Sequence, residues 1–283
     1  MPFERRTFGR TGLVVSPFGI GGGYGIKGDS IEWAFEHGIN YFFWAPWLPT
    51  YRSMERCLKR LLPGHRDEIV IATASYSWLF PGSIERAVRK HLRRLRIDHI
   101  DLFLLGLVMQ ESQQIAVDEL ARIKEKGLVR CVGFSGHKRP MILRMAQRWP
   151  IFDVLMVRYN VAHRGAEHEI FSHLDDKNRQ GIVAFNALKH GAMLKRPKGW
   201  LKSMPVPTVR QCYRFVLSHP CVDLCLSGPS KLEHVKELVK IIEEGPMTPD
   251  ELSFMREFGD ARQKKQTLSF KENQNARKTP NNT

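Results

Sequence analysis

Short apolar runs of strand length alternate along the chain with longer stretches whose apolar positions recur every three to four residues. This is the pattern of a parallel α/β fold. Strands are predicted at residues 19–22, 41–44, 69–73, 102–105, 130–135, 154–157, 181–185 and 224–227. Helical periodicity fills 29–37, 54–62, 84–95, 116–126, 140–147, 167–174, 208–217 and 232–242. The punctuation agrees with that division: Gly38 follows the first helical stretch, Gly127 follows the fourth, and Pro249-Asp250 can open a late helix. Eight such units in 283 residues favour closure into a (β/α)8 barrel, a TIM barrel, over an open sheet.

One barrel domain is expected over residues 1–262. The remainder, 263–283, is a polar, basic tail without apolar period, for which the composition predicts disorder. In a barrel of this kind, ligands and chemistry collect at the carboxyl ends of the strands. The stretches just after Trp44, Thr73, Leu105, Ser135, Val157, Phe185 and Ser227 are therefore the places to search.

Composition adds a bias in partners. Lys and Arg number 44 against 29 Asp and Glu, a net charge of +15, which favours phosphorylated cofactors, nucleic acid or acidic membrane. The densest run, Arg86, Arg89, Lys90, Arg93, Arg94 and Arg96, wraps round its helix instead of forming one stripe, so it reads as a solvated face and nucleic-acid binding is not expected. The cysteines Cys57, Cys131, Cys212, Cys221 and Cys225 follow no secretory leader and are expected to be reduced thiols of a cytoplasmic protein. Cys221 and Cys225 flank an apolar run, and no second Cys or His pair stands at zinc-site spacing, so no metal is expected. No apolar run approaches the roughly 20 residues of a membrane span. The glycines at 19, 21, 22, 23 and 25 lack the acidic residue about 20 positions on that a Rossmann fingerprint requires.

Several blocks carry a resemblance. Phe8-Gly9-Arg10-Thr11-Gly12-Leu13-Val14-Val15-Ser16, His37-Gly38-Ile39-Asn40-Tyr41-Phe42, Ile100-Asp101-Leu102-Phe103-Leu104-Leu105, Lys126-Gly127-Leu128-Val129-Arg130-Cys131-Val132-Gly133-Phe134-Ser135-Gly136 and Leu226-Ser227-Gly228-Pro229-Ser230 stand in one order. Over about residues 5–245 the chain resembles the aldo-keto reductases. The resemblance implies an amino-terminal β-hairpin closing the bottom of the barrel, an extended NADP(H), and reduction of a carbonyl by hydride transfer. It also implies an Asp, a Tyr, a Lys and a His around that carbonyl, with the Lys lowering the pKa of the Tyr so that it can donate a proton.

Most of that tetrad is replaced. Phe43 stands at the Asp position, Ala74 at the Lys position and Gly106 at the His position. Tyr51-Arg52-Ser53-Met54-Glu55 matches the family's Y-G-x-S-E if three extra residues are allowed in the 46–50 loop; without them, Leu48 takes the Tyr place. Tyr76, Arg158, Tyr159, Lys189 and His190 lie on loops that could compensate. By the same resemblance Phe185 stacks on the nicotinamide with Asn186 beside it, Ser135 and Gly136 contact the carboxamide, and Met156 replaces a Gln there. Gly228, Ser230, Lys231 and His234 form a phosphate loop reaching the adenosine 2′-phosphate, and Glu237 meets the adenine, although the Asn expected next is Leu238. The bulky Phe43, Trp44 and Trp47 suit a small, hydrophobic ligand. Two functions follow: an NADP(H)-linked oxidoreductase with a non-standard site, or a pseudo-enzyme that binds NADP(H) or a metabolite as a regulator or scaffold.

Overall fold

Strands buried on both faces read as near-continuous apolar runs, and eight such runs close here into one parallel barrel. The computed structural model describes residues 2–48, 50–76, 78, 80–108, 114–175 and 178–276. An antiparallel hairpin of β1 (Arg6–Thr7) and β2 (Val14–Val15) comes first. The parallel strands follow: β3 (Phe18–Gly21), β4 (Tyr41–Phe43), β5 (Val70–Ser75), β6 (Ile100–Val108), β7 (Val129–Gly136), β8 (Val154–Arg158), β9 (Gly181–Phe185) and β10 (Leu224–Ser227). They pair in chain order and β10 returns to β3, so the sheet has no open edge.

The helices between and after them are α1 (Gly28–Glu36), α2 (Tyr51–His65), α3 (Ser83–Leu95), α4 (Gln114–Glu125), α5 (Arg139–Arg148), α6 (Ala166–Glu169), α7 (Val209–Leu217), α8 (Leu232–Glu244) and α9 (Pro249–Ala276). One expectation needs correction. The helix predicted over 167–174 is a single turn, α6, followed by a 3-10 turn at Phe171–His173. Ile170 leaves helical geometry at φ −134°, ψ −61°, which turns Phe171 into the core against Tyr159 and His219, with ring centres 5.5 and 4.8 Å away. Packing overrides periodicity there. α9 carries helical backbone past residue 262, into the segment whose composition predicts disorder, because propagating a helix costs less than nucleating one. Pro49, in the loop that decides the Tyr51 match, and residues 277–283 of the tail lie outside the described residues.

Alternate positions on the strands divide the core. Tyr41, Val70, Leu102, Cys131, Val154, Val183 and Leu224 face the barrel interior, while their neighbours Phe42, Ile71, Phe103, Val132, Leu155, Ile182 and Cys225 face the helices. The hairpin plugs the amino-terminal end of the interior with Phe8, Leu13 and Val15. Phe8 is fully buried and meets Tyr41 edge-on at 6.1 Å. The plug fits closely: at Gly9, whose φ is +50°, a Cβ would lie 2.3 Å from the Gly181 nitrogen.

At this same end, every even-numbered barrel strand is entered through an acid or amide that takes a backbone N–H from the neighbouring strand. Asn40 Oδ1 accepts from Ser16 at 2.8 Å, Asp101 Oδ2 from Ile71 at 2.8 Å, Asp153 Oδ2 from Val132 at 2.9 Å, and Asp223 Oδ2 from Ile182 at 2.7 Å. Each carboxylate also holds a cation: Asp101 meets Arg66 at 2.9 Å, Asp153 meets Lys124 at 2.7 Å, and Asp223 is gripped by both Arg179 nitrogens at 2.7 and 2.8 Å. Removing one partner of such a buried pair strands the other. Asp223→Ala is therefore expected to lower the unfolding free energy by about 3–5 kcal/mol in a urea titration, with Asp223→Asn less damaging because it keeps one acceptor oxygen.

Candidate functional site

The carboxyl end of the barrel is the open one. A cavity of about 640 Å3 lies there, and its floor is apolar: Phe43, Leu48, Met156 and Leu226 line it. Phe43 and Ala74 belong to the interior cluster and pack there as hydrocarbon. At Gly106, the Tyr76 ring covers the space a side chain would need, at 2.9 Å from a built Cβ, and Trp47 stands edge-on to that ring at 5.2 Å. Trp78 Nε1 donates to the Gly106 carbonyl at 3.3 Å. Aromatic packing thus occupies this side of the mouth.

Tyr51 is the first residue of α2 and is not among the residues lining the cavity; Leu48 is. The Tyr51 ring lies 4.8 Å from the Arg94 guanidinium on α3, and Arg52 Nε donates to its hydroxyl at 3.4 Å. These two cations, Arg94 first, hold the phenol below its ordinary pKa near 10. The structure thus joins Tyr51 to the helix layer and gives its cavity place to Leu48. Of the other loop residues, Tyr159 is buried and its hydroxyl donates to Glu167 at 2.6 Å, on the helix side of the barrel.

The expected cofactor positions converge better. Phe185, Asn186 and Gly228 all line the cavity. Asn186 begins a turn in which Lys189 and His190 also take left-handed backbone, with φ of +64°, +47° and +52°. Asn160 Nδ2 pins the turn through the Asn186 carbonyl at 2.9 Å. Such strain in bulky residues persists only where the surroundings impose it, and it clusters at ligand sites. Ser135 is half-buried and Gly136 buried at the end of β7, just below the rim. Across the mouth, Ser227 bonds the Tyr213 hydroxyl at 2.8 Å, and burial pushes that phenol's pKa up.

Beyond Gly228, the exposed Ser230 and His234 meet at 3.4 Å, and α8 starts at Leu232 with no side-chain cap from Lys231. A helix start left uncapped offers N–H groups to an anion. The Tyr24 ring lies over Gly228, 2.2 Å from where a Cβ would stand, so only glycine lets the two loops approach this closely. Glu237 sits one turn further and is engaged by Arg210 at 2.5 Å.

The sequence reading missed His137, Tyr24 and Tyr213 as cavity residues. His137 follows Gly136, with its ring 5.5 Å from that of Phe185. His137 is exposed, and partial desolvation, and then Arg158, lowers its pKa below the ordinary 6.5. Lys189 is likewise lowered, by burial first and then by Arg262 and Arg158. The wall from β7 to the turn after β9 thus carries basic side chains, and among the described residues no carboxylate lines the cavity.

Comparison with known proteins agrees with this geometry. The model of the aldo/keto reductase family matches residues 28–260. An uncharacterized oxidoreductase, YqkF, of Bacillus subtilis is 23% identical over 89% of this chain and 95% of its own length. The chloroplastic pyridoxal reductase of Arabidopsis thaliana is 32% identical over 47% of this chain and 45% of its own. Among solved structures, the holo form of aldo-keto reductase AKR11C1 from Bacillus halodurans superposes with a TM-score of 0.75 at 23% identity, covering 90% of this chain and 96% of that one. An aldo/keto reductase from Klebsiella pneumoniae in complex with NADP and acetate gives 0.75 at 19%, with the same coverage.

The Tyr51 environment makes a direct prediction. Replacing Arg94 by Met removes the larger of the two cationic influences, so the Tyr51 phenol should titrate closer to 10 than in the unaltered protein, as followed by NMR or ultraviolet difference spectra. No change would show that Arg94 does not govern it.

Proposed function

Since the chain belongs to the aldo/keto reductase family, we propose that it is an oxidoreductase that holds NADP(H) across the barrel mouth and serves hydride transfer between the cofactor and a small, hydrophobic carbonyl or alcohol. The observation that carries this reading is that Phe185, Asn186 and the phosphate-loop residue Gly228 share one cavity, beside the uncapped start of α8. When bound, the cofactor supplies the hydride. The chain's own residues bind and orient: Phe185 offers a flat face to the nicotinamide, Ser135 and Gly136 reach its carboxamide, and Ser230, Lys231 and His234 meet the 2′-phosphate. Phe43, Leu48 and Met156 keep water from the reacting carbon.

The cradle fits a dinucleotide on its own chemistry. Gly228 leaves backbone accessible, the helix start is uncapped, and the wall carries His137, Lys189 and His190 with, among the described residues, no acid. Solved structures similar to this chain include complexes with NADP and NADPH, which supports the choice of cofactor. Among the described residues none of the five cysteines forms a disulfide and four of them are buried, and no helix is long and apolar enough to cross a membrane. Both features suit the cytoplasmic location we propose.

A second reading has its own observation. With Phe43 and Ala74 packed as hydrocarbon and Tyr51 drawn to Arg94, none of the four expected proton-handling groups faces the cavity. A pseudo-enzyme that binds NADP(H) or a metabolite as a regulator would need none of them.

Titration with NADPH and NADH, followed by nucleotide fluorescence at fixed salt, tests the shared premise. Saturable binding of NADPH is expected, weakened about tenfold or more when Lys231 and His234 are both changed to Ala, since bonds to a charged group are worth about 1.5–3 kcal/mol each. NADH, lacking the 2′-phosphate, should respond less to that change. Absence of binding for both nucleotides would defeat the oxidoreductase reading and the NADP(H)-binding form of the second.

A further inference from the structure

This inference rests on the reading of the cavity as the place where a carbonyl ligand sits. A carbonyl oxygen there needs a hydrogen-bond donor, and in reduction it gains negative charge as well as a proton. The floor offers nothing, because Phe43, Leu48, Met156 and Leu226 have no donor to give. The titratable groups on the wall are Tyr24, His137, Lys189, His190 and Tyr213. Tyr213 is committed to Ser227, and Tyr24 lies on Gly228 at the phosphate end. Lys189 and His190 stand on the turn several residues past Phe185. His137 differs from all of these. It stands at the end of β7, lines the cavity together with Met156, and meets the Phe185 ring at 5.5 Å; its ring nitrogens have no hydrogen-bond partner among the described residues.

We infer that His137 is the donor that hydrogen-bonds the oxygen of a carbonyl ligand in this cavity and, in the reductive direction, delivers the proton to it. The step balances. A hydride, with its electron pair, adds to the carbonyl carbon; the C=O π pair moves onto oxygen; the imidazolium N–H proton passes to that oxygen, giving an alcohol and a neutral imidazole. NADPH is the reductant and leaves oxidised, and water restores the imidazolium proton.

The charged and titratable groups about His137 are Arg158 from β8, Lys189 and His190 from the turn after β9, Tyr24 across the cavity, and Lys138 and Arg139 on its own segment. Among the described residues none of these is acidic, so none of them stabilises its positive form. The pKa lies below 6.5 from partial desolvation and Arg158, and the imidazolium is present only on the acid side of it. Reduction should therefore slow as pH rises through that pKa, and alcohol oxidation, which needs the neutral ring as base, should quicken over the same range.

The test separates donor from cofactor. Nitrobenzamide, a carbonyl probe that cannot be reduced at its amide under these conditions, is titrated into the full chain without nucleotide while the His137 ring protons are followed by NMR. Binding should move those signals, and His137→Leu, which removes the donor, should weaken the probe about tenfold, the worth of one hydrogen bond, whereas His137→Gln, which keeps an N–H, should weaken it less. With NADPH and nitrobenzaldehyde, His137→Gln should lower the rate by about 100-fold or more and abolish its decline with pH. Unmoved His137 signals, or a Gln variant that keeps the rate and pH profile of the parent, would overturn the assignment. A protein whose His137 responds to nitrobenzamide but which binds no NADPH would refute the oxidoreductase reading and leave the donor role toward carbonyl ligands standing.

Discussion

The barrel depends on how its strands are set in register, and the structure ties that register to four polar side chains, three of them buried. Asn40, Asp101, Asp153 and Asp223 each take a backbone N–H from the adjacent strand. The pairing repeats every second strand round the ring, so each anchor joins an even strand to its odd neighbour. A sheet slipped by one residue would exchange its inner and outer faces. It would also leave these acceptors without the donors they were placed to meet, a cost of about 1–3 kcal/mol for each buried one. Arg66, Lys124 and Arg179 complete the carboxylates, and the hairpin with Phe8 seals the centre of the same end.

With register and closure fixed at one end, the other end is free to change its chemistry. Phe43 and Ala74 pack together there in the interior cluster, as hydrocarbon with no charge to pair. The polar side chains of the mouth lie on the other side of the ring, where His137, Asn186, Lys189 and His190 line the cavity with Phe185. The cavity therefore has an apolar floor and a basic wall, which suits an anionic cofactor holding a small hydrophobic ligand.

Much of this was readable from residues. The eight strands are legible because both faces of each are buried, leaving apolar runs such as Leu102 to Leu105 with no rival interpretation. The single turn at α6 was not legible, since the helical period over 167–174 is real and is overridden by Phe171 packing on His219. For Tyr51 and Leu48 the residues leave two alignments open, and only the direction of α2 decides which side chain faces the cavity. His137 carries no pattern at all: one histidine after a strand is ordinary, and its place beside Phe185 comes from two strands that are far apart in sequence. The four anchors are visible only as lone polar residues at the starts of apolar runs. Their common role emerges from the ring.

The central claim is the proposal that the mouth cradles a dinucleotide against Phe185 and the start of α8. A crystal structure grown with NADPH tests it most directly. The account predicts the nicotinamide stacked on Phe185 and the 2′-phosphate beside Lys231 and His234 at the start of α8, with Tyr24 moved off Gly228. A nucleotide bound elsewhere, or a mouth with Tyr24 still lying on Gly228 and no nucleotide at saturating concentration, would contradict it.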